Sequence, residues 1–171
     1  DLAISGDGEE TLPSLIEAVK QLVDGDKRNA FDGRGKKLQS AQEAALQQLR
    51  IDATTGWDSS PITTARLCAE IYEQIRNEDW SLVGEGLGMQ WPHRLWHVDK
   101  RYRFNGGSGG AGIGYNVSAS LGGALAGRKY GRLCVSIQGD GDFMFSPGAL
   151  WTAAHHKIPM LYVMHNNRAY H

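Results

Sequence analysis

Residues 133–167 read LCVSIQGDGDFMFSPGALWTAAHHKIPMLYVMHNN, and this stretch decides the fold class of the chain. It contains two short apolar runs, 133–138 and 160–165, which have the composition of buried strands. Between the runs, Ser146 can cap a helix that starts at Pro147. A strand, a helix and a second strand in this order form a right-handed crossover, so we expect the two strands to lie parallel in one α/β sheet.

Each of the two predicted strands is followed directly by a polar motif. Gly139-Asp140-Gly141 comes after the first strand, and Asn166-Asn167 comes after the second. Because the carboxyl ends of parallel strands meet at one edge of a sheet, we expect Asp140 and Asn167 to lie together there, where open α/β sheets place ligands. A carboxylate and an amide oxygen cannot enclose a cation alone, but they suit a Mg²⁺ ion that completes its shell with phosphate oxygens and water.

The two motifs together, at this spacing and on this strand pattern, resemble the signature of the thiamine diphosphate-dependent enzymes. The resemblance implies that Asp140 and Asn167 bind Mg²⁺ through their side chains, and that Ala169 binds it through its backbone carbonyl. The alternative is a structural role for each motif, because GDG alone is a common turn and NN alone is a common end of a strand.

The glycines of the first motif and the residue after it are expected at the diphosphate of the cofactor. Gly139 and Gly141 allow the backbone to approach the phosphates closely. The family resemblance implies that Gly141 and Asp142 lie against the diphosphate. Family members usually have Ser or Ala at the position of Asp142, so the sequence leaves open what the side chain of this acid does.

A second glycine-rich stretch, residues 107–112, reads GSGGAG and matches the dinucleotide fingerprint G-x-G-x-x-G. The match is weak, because residues 100–105 before it do not read as a buried strand. We expect instead a glycine loop that leads into a helix over 117–126. The family resemblance implies that Ile113 is wedged under the two rings of the cofactor and that Ala111 offers a backbone carbonyl to the aminopyrimidine. The alternative for Ile113 is an ordinary buried residue after a turn.

A third segment expected at the site follows a predicted strand over 80–83. The loop after this strand, residues 84–88, reads GEGLG, and in the family the matching loop approaches the diphosphate and the pyrimidine. Gly86 and Gly88 are therefore candidate cofactor-binding residues. The aromatic stretch 89–97 that follows can line a substrate pocket or serve packing, and the sequence leaves both uses open.

Composition and charge narrow the class of protein. The 171 residues carry a formal net charge of −1, which favours neither nucleic acid nor an anionic membrane surface as a partner. Cys68 and Cys134 lie in apolar contexts rather than in a C-x-x-C motif, as reduced thiols of a cytosolic protein do. Because no apolar run approaches membrane-spanning length and the first residues carry no basic targeting segment, we expect a cytoplasmic protein.

The domain organisation follows from the same resemblance, since thiamine diphosphate enzymes of this kind have three α/β domains. Residues 1–50 resemble the end of the central domain, 51–62 a linker, and 63–171 the first part of the diphosphate domain. Residues 26–61 are polar and interrupted by glycines, so we expect only a modest helix there, over 39–49. The expected fold is therefore an open parallel sheet with helices on both faces, present as a partial chain.

The function that the resemblance implies is that of a thiamine diphosphate- and Mg²⁺-dependent enzyme, most similar to the acetolactate synthase, benzoylformate decarboxylase and pyruvate decarboxylase group. Such an enzyme makes or cleaves a carbon–carbon bond next to a carbonyl, in a 2-keto acid or a 2-hydroxy ketone. The pyrimidine domain, whose Glu helps to form the cofactor ylid, is not in this sequence, so we expect a longer chain. Two alternatives are a non-catalytic homologue that binds cofactor or partners, and a dinucleotide-binding oxidoreductase built on the loop 107–112.

The same resemblance implies an oligomer. In the family, the diphosphate domain of one subunit meets the pyrimidine domain of another, so each cofactor lies at a subunit interface. We therefore expect a homodimer or homotetramer, with a small-molecule substrate and with neither nucleic acid nor a membrane as a partner.

Overall fold

The computed structural model describes the following stretches of the chain: residues 3–85 (only the backbone at Glu85), 90–107, 110 and 112–169. The chain divides into two compact units, Asp1–Gln48 and Leu49–His171. The first unit is helical, and the second contains the sheet with the motifs that the sequence singles out.

The first unit begins with helix α1 (Gly8–Leu22). Asp7 caps this helix, because its Oδ1 accepts hydrogen bonds from the backbone N–H groups of Glu9 and Glu10 at 2.9 and 3.0 Å. Both glutamates lie in the first turn, where a negative charge is favoured by the helix dipole. The start of α1 is therefore determined by local sequence.

Helix α2 (Gly25–Ala53) corrects the expectation of a polar connection with a modest helix over 39–49. The residues after Gly35 are mostly Lys, Gln, Leu, Ala and Glu, which have high helix propensity. Their combined preference outweighs Gly33 and Gly35, each of which costs about 1 kcal/mol relative to alanine in a helix. Among the described residues no helix, α2 included, is long and apolar enough to cross a membrane.

The second unit is built on three parallel strands in the order β1 (Trp80–Glu85), β2 (Leu133–Gly139) and β3 (Leu161–His165). Strands β2 and β3 are in register, with Gly139 opposite His165. The parallel crossover predicted from residues 133–167 is therefore confirmed. Strand β1 is longer than the sequence predicts, and its register against β2 shifts between Leu82 and Glu85.

One face of the sheet is covered by helices α3 (Thr64–Ile75) and α4 (Trp91–Leu95). Trp96, just after α4, is buried, stacks on Tyr72 with ring centroids 5.7 Å apart, and donates a hydrogen bond from Nε1 to the carbonyl of Cys68 at 2.8 Å. Of the two uses left open for the aromatic stretch, Trp96 therefore serves packing. The core on this face consists of Cys68, Ile75, Trp80, Leu82, Trp96, Val135 and Ile137.

The other face of the sheet is covered by helices α5 (Tyr115–Gly127), α6 (Asp140–Met144) and α7 (Gly148–His155). Helix α5 lies close to β1, since a Cβ added at Gly123 would be 2.8 Å from Cγ2 of Val83. The predicted arrangement, an open parallel sheet with helices on both faces, is confirmed.

The connection between β2 and β3 contains two helices, where the sequence predicted one. Helix α6 begins at Asp140, directly after β2, and α7 begins after a turn at Phe145 and Ser146. The prediction that Ser146 caps the helix is wrong, because α7 has no side-chain cap. Ser146 instead contributes its backbone carbonyl, which accepts a hydrogen bond from the N–H of Ala149 at 3.1 Å.

Candidate functional site

The two motifs of the sequence meet at the carboxyl edge of the sheet. The backbone N–H of Asn167 donates a hydrogen bond to Oδ1 of Asp140 at 3.2 Å, although the residues are 27 apart in the chain. The pairing of Gly139 with His165 places the ends of β2 and β3 at one level, which is why the motifs meet. Their proximity, predicted from the crossover, is confirmed.

Residues 167–169 form a tight turn beside Asp140. Oδ1 of Asn167 accepts a hydrogen bond from the N–H of Ala169 at 3.1 Å, which is the geometry of an Asx turn. Arg168, between them, has a φ of 52°, in the left-handed region. The turn therefore holds the Asn167 side chain and the Ala169 backbone, both predicted metal ligands, within one short and hydrogen-bonded segment.

The donor set at this edge consists of hard oxygen atoms. Asp140 is half-buried and Asn167 is exposed. In the part of the chain that is described, no group of three or more His, Cys, Asp or Glu side chains could hold a metal. A cation at Asp140 would therefore take its other oxygen atoms from the Asn167 amide, from backbone carbonyls, and from a ligand or water, as Mg²⁺ bound to a diphosphate does.

The glycine loop before α5 reaches the same region through Gly114. This residue is buried, has a φ of +83°, and occupies the N-cap position of α5. A Cβ at this position would lie 2.6 Å from Cβ of Phe145, so only glycine lets the loop approach the end of α6 this closely.

Ile113, the predicted wedge, immediately precedes Gly114. Ile113 is 42 % exposed, so the described part of this chain does not bury it. Ala111, the predicted source of the carbonyl, lies outside the described residues, as do Gly86 and Gly88. An exposed, β-branched apolar side chain at the end of a glycine loop is available to a ligand or to another protein surface.

Asp142 has a partner that the sequence did not predict. Its Oδ1 accepts a hydrogen bond from the backbone N–H of Gly114. Its Oδ2 is buried and has no hydrogen-bond partner among the described residues. No local pattern could have revealed this contact, because Asp142 and Gly114 are 28 residues apart and belong to different elements.

Strand β1 ends in an irregularity that the sequence also missed. Gly84 has a φ of +79°, and a Cβ there would lie 2.8 Å from the carbonyl oxygen of Asn116. Its own carbonyl accepts a hydrogen bond from the hydroxyl of Ser136 at 3.3 Å. Strand β1 therefore contains, one residue before its last, a glycine whose surroundings exclude any larger residue.

Two buried polar side chains lie on β2 next to the first motif. Ser136 and Gln138 face α5 from the same side of the strand, and Nε2 of Gln138 donates to the hydroxyl of Ser136. Oε1 of Gln138 is buried without a partner within the described stretches. A signal for them existed in the sequence, since two polar residues at alternate positions interrupt an otherwise apolar strand.

Two ionisable groups with clearly displaced pKa values, Cys134 and Asp79, belong to the scaffold. Burial raises the pKa of the Cys134 thiol to about 12, and this thiol donates to the carbonyl of Ser120 at 3.3 Å. The pKa of Asp79 is lowered, first by a hydrogen bond with Tyr102 and then by Arg132. Asp79 precedes β1, at the opposite end of the sheet from Asp140. Neither group can serve the candidate site.

The glycine loop lacks the strand that a dinucleotide fingerprint requires. Residues 100–105 form no strand, and Phe104 makes only an isolated bridge with Leu82. The dinucleotide-binding alternative therefore loses its structural basis.

Comparison with known proteins gives the class to which this site belongs. The family described as thiamine pyrophosphate enzyme, C-terminal TPP binding domain, matches residues 85–171, just over half of the chain. The matched region contains the glycine loop and both polar motifs. The chain therefore belongs to this family, and the family resemblance seen in the sequence is confirmed.

Two relatives show how much of a protein the chain represents. It is 28 % identical over 168 residues to glyoxylate carboligase of Escherichia coli O157:H7, an alignment that covers 98 % of this chain and 27 % of the relative. It is also similar, at 32 % identity and a TM-score of 0.57, to an X-ray structure of an enzyme from Mycobacterium smegmatis that is assigned as thiamin diphosphate-dependent. That likeness covers 66 % of this chain and 22 % of the other, so the chain spans about a quarter of the length of such proteins.

Proposed function

We propose that this chain forms the diphosphate-binding part of a thiamine diphosphate- and Mg²⁺-dependent enzyme that makes or cleaves a carbon–carbon bond next to a carbonyl. The observation that carries the proposal is the meeting of Asp140 and Asn167 at the carboxyl edge of the sheet, with Asn167 N 3.2 Å from Asp140 Oδ1, in a chain of this family. The proposal includes the assignment of residues 1–50 to a central domain, 51–62 to a linker and 63–171 to the diphosphate domain.

The metal would be held by the side chains of Asp140 and Asn167 and by the backbone carbonyl of Ala169. All three donors are hard oxygens, and they lie on two segments joined by a hydrogen bond. Asp140 supplies the only full negative charge of this set, so it is the donor on which affinity for the metal depends most.

The cofactor would lie between the metal site and the glycine loop. Gly139 and Gly141 would leave room for the phosphates, Gly86 and Gly88 are further proposed cofactor-binding residues, and the backbone around Asp142 would lie against the diphosphate. When bound, the cofactor supplies a nucleophilic carbon and an electron sink. The chain would supply binding and orientation, with Ile113 as the proposed wedge under the cofactor rings and the Ala111 carbonyl as the proposed acceptor for the aminopyrimidine.

Within this class we propose carboligation of a small 2-keto acid. This narrower choice is supported by the alignment with glyoxylate carboligase, which covers 98 % of this chain and whose name gives both the substrate and the reaction. The substrate itself would contact parts of the enzyme beyond this chain, so the choice between ligation and decarboxylation depends on the alignment.

The enzyme is proposed to be a homodimer or homotetramer with the cofactor at a subunit interface. Support comes from large apolar side chains that are exposed directly after the first motif and on α7, namely Met144, Phe145 and Trp151. A cytoplasmic location is also proposed, and it is consistent with Cys68 and Cys134, which are buried and form no disulfide.

The function is tested with the full-length enzyme, thiamine diphosphate, Mg²⁺ and glyoxylate. We expect release of carbon dioxide together with a condensed hydroxy-ketone or hydroxy-aldehyde acid, identified by mass spectrometry. Activity should disappear after treatment with a chelator and return when Mg²⁺ is added. A protein that binds the cofactor but converts neither glyoxylate nor pyruvate nor a larger 2-keto acid would support the non-catalytic alternative instead.

A further inference from the structure

We propose that Asp142 is a positioning residue that ties the loop carrying Ile113 to the metal-binding motif. This inference rests on the proposed function, because that function assigns Ile113 and Asp140 to the cofactor. It goes beyond it by giving the Asp142 side chain a role toward the protein rather than toward the diphosphate.

The first observation is the hydrogen bond from the Gly114 N–H to Oδ1 of Asp142. It joins the first turn of α6, two residues after Asp140, to the residue directly after Ile113. A hydrogen bond to an ionised carboxylate is roughly twice as strong as one between neutral groups. The contact therefore sets the separation between the proposed metal ligand and the proposed wedge.

The second observation concerns the N-cap of α5. Its N-cap residue, Gly114, has no side chain, and no acidic residue lies in its first turn. A negative charge at the start of a helix is stabilising, and here Asp142 supplies it from another element. The hydrogen bond from Gly114 to Asp142 therefore fixes the start of α5, and with it the position of the preceding residue, Ile113.

The third observation is the close packing around the same hydrogen bond. Gly114 lies against Phe145, and Val117 of α5 packs in one buried cluster with Phe143 of α6. Ile113 itself is 42 % exposed, so its own packing does not hold it in place. Its position follows from the backbone, and Asp142 anchors that backbone at Gly114.

The charge of Asp142 also favours a role inside the protein. The donor that its carboxylate meets among the described residues is a protein group, the Gly114 N–H at Oδ1, while Oδ2 is buried without a donor from them. A second acid beside a diphosphate would repel that group, so binding of the diphosphate gives no reason for an acid at position 142. The hydrogen bond that anchors the loop does give a reason for an acid there.

The contact is tested by hydrogen exchange in the full-length enzyme, measured without and with thiamine diphosphate and Mg²⁺. In Asp142→Ala the Gly114 amide loses its acceptor, so residues 112–117 should exchange roughly tenfold to a hundredfold faster. Asp142→Asn keeps an acceptor oxygen and should exchange within about threefold of the wild type. Asp26→Ala, an exposed acid on α2, is the matched control and should change nothing in this segment.

The positioning role is tested by a double-mutant cycle. Ile113→Ala and Asp142→Ala should each lower kcat with little change in the dissociation constant of the cofactor, and the double variant should turn over no more slowly than Ile113→Ala alone. Unchanged exchange in Asp142→Ala would overturn the inference. So would additive losses of kcat, or a loss of cofactor affinity as large as that of Asp140→Ala, because Asp142 would then act on the ligand.

A second variant covers the case in which Asp142→Ala does not fold. In Asp142→Ser the hydroxyl is one bond nearer the backbone and does not reach Gly114, so residues 112–117 should again exchange faster than in Asp142→Asn. Equal exchange in the serine and asparagine variants contradicts the inference. If exchange is faster in Asp142→Ala but the wild-type enzyme binds no cofactor, the proposed function is refuted and the contact between Asp142 and Gly114 is established. Failure of the proposed function is therefore distinguishable from failure of this inference.

Discussion

Replacing Gly114 by alanine should strongly destabilise the protein. Its φ of +83° is in the left-handed region, where an L side chain costs about 1–2 kcal/mol. The added Cβ would lie 2.6 Å from Cβ of Phe145, a distance that real Cβ atoms do not adopt. Relieving such an overlap by shifting the backbone costs about 1–3 kcal/mol, so the total loss should be about 2–5 kcal/mol in the free energy of unfolding.

Gly131→Ala is the matched control for this change. Gly131 also has a positive φ, of 66°, but nothing lies within 4 Å of its added Cβ, so it should lose only the backbone part of the free energy. The two losses are compared by urea unfolding of the full-length protein, followed by tryptophan fluorescence. Truncating Phe145 to alanine should not rescue Gly114→Ala, because alanine at position 145 keeps the Cβ atom that the new Cβ at position 114 would overlap. A loss for Gly114→Ala no larger than that for Gly131→Ala would refute the reasoning.

Three further predictions concern separate residues. Ile113→Ala should lower turnover about tenfold or more while changing cofactor affinity less than about threefold, because the alignment of the cofactor is lost and its diphosphate anchor remains. The control is Ile62→Ala, since Ile62 is as exposed as Ile113. An Ile113→Ala variant that binds the cofactor poorly but turns over normally at saturation would contradict the role of Ile113 as a wedge. Because burial raises the pKa of Cys134 to about 12, alkylation of the folded protein at pH 8 should leave this cysteine unmodified in a peptide map, and modification at the rate of a free thiol would contradict its burial. The pKa of Asp79 is lowered in the folded state, first by the hydrogen bond with Tyr102, so its contribution to stability is present above the unfolded-state pKa and is lost as the pH falls through the lowered one. Because the Asp79 side chain is 39 % exposed, Asp79→Asn should lower the free energy of unfolding by less than about 1 kcal/mol near pH 7 and should not change it in acid. A loss of stability that grows in acid would contradict a lowered pKa of Asp79.

The parts of the fold that the sequence predicts are those that depend on local patterns. Strands β2 and β3 are short apolar runs, the residues between them form helices, and the handedness of such crossovers leaves one arrangement. That arrangement alone brings Asp140 to Asn167, so the centre of the candidate site could be found without a structure. The family resemblance then named the cofactor and the metal, and the family match supports thiamine diphosphate as the cofactor.

The parts that the sequence missed have two physical causes. In α2, Gly33 and Gly35 predict interruptions of the helix, but the high helix propensity of many neighbouring residues lets the helix continue through them. The anchoring of Gly114 by Asp142 and the bend of β1 at Gly84 depend on contacts between segments far apart in the chain, which no local pattern encodes. Both long-range features lie at the candidate site, where backbone and side chains from different elements must converge.

The most direct test of the account is calorimetric titration of the full-length enzyme with thiamine diphosphate in the presence of Mg²⁺. Asp140→Ala should weaken cofactor binding severely, by about a hundredfold or more, because the only full negative charge of the proposed metal site is removed. Asn167→Ala should show a smaller loss. Asp32→Ala and Asn29→Ala, exposed residues of the same types on α2, should bind as the wild type does. Unchanged cofactor affinity in both Asp140→Ala and Asn167→Ala would contradict the metal site and with it the proposed function.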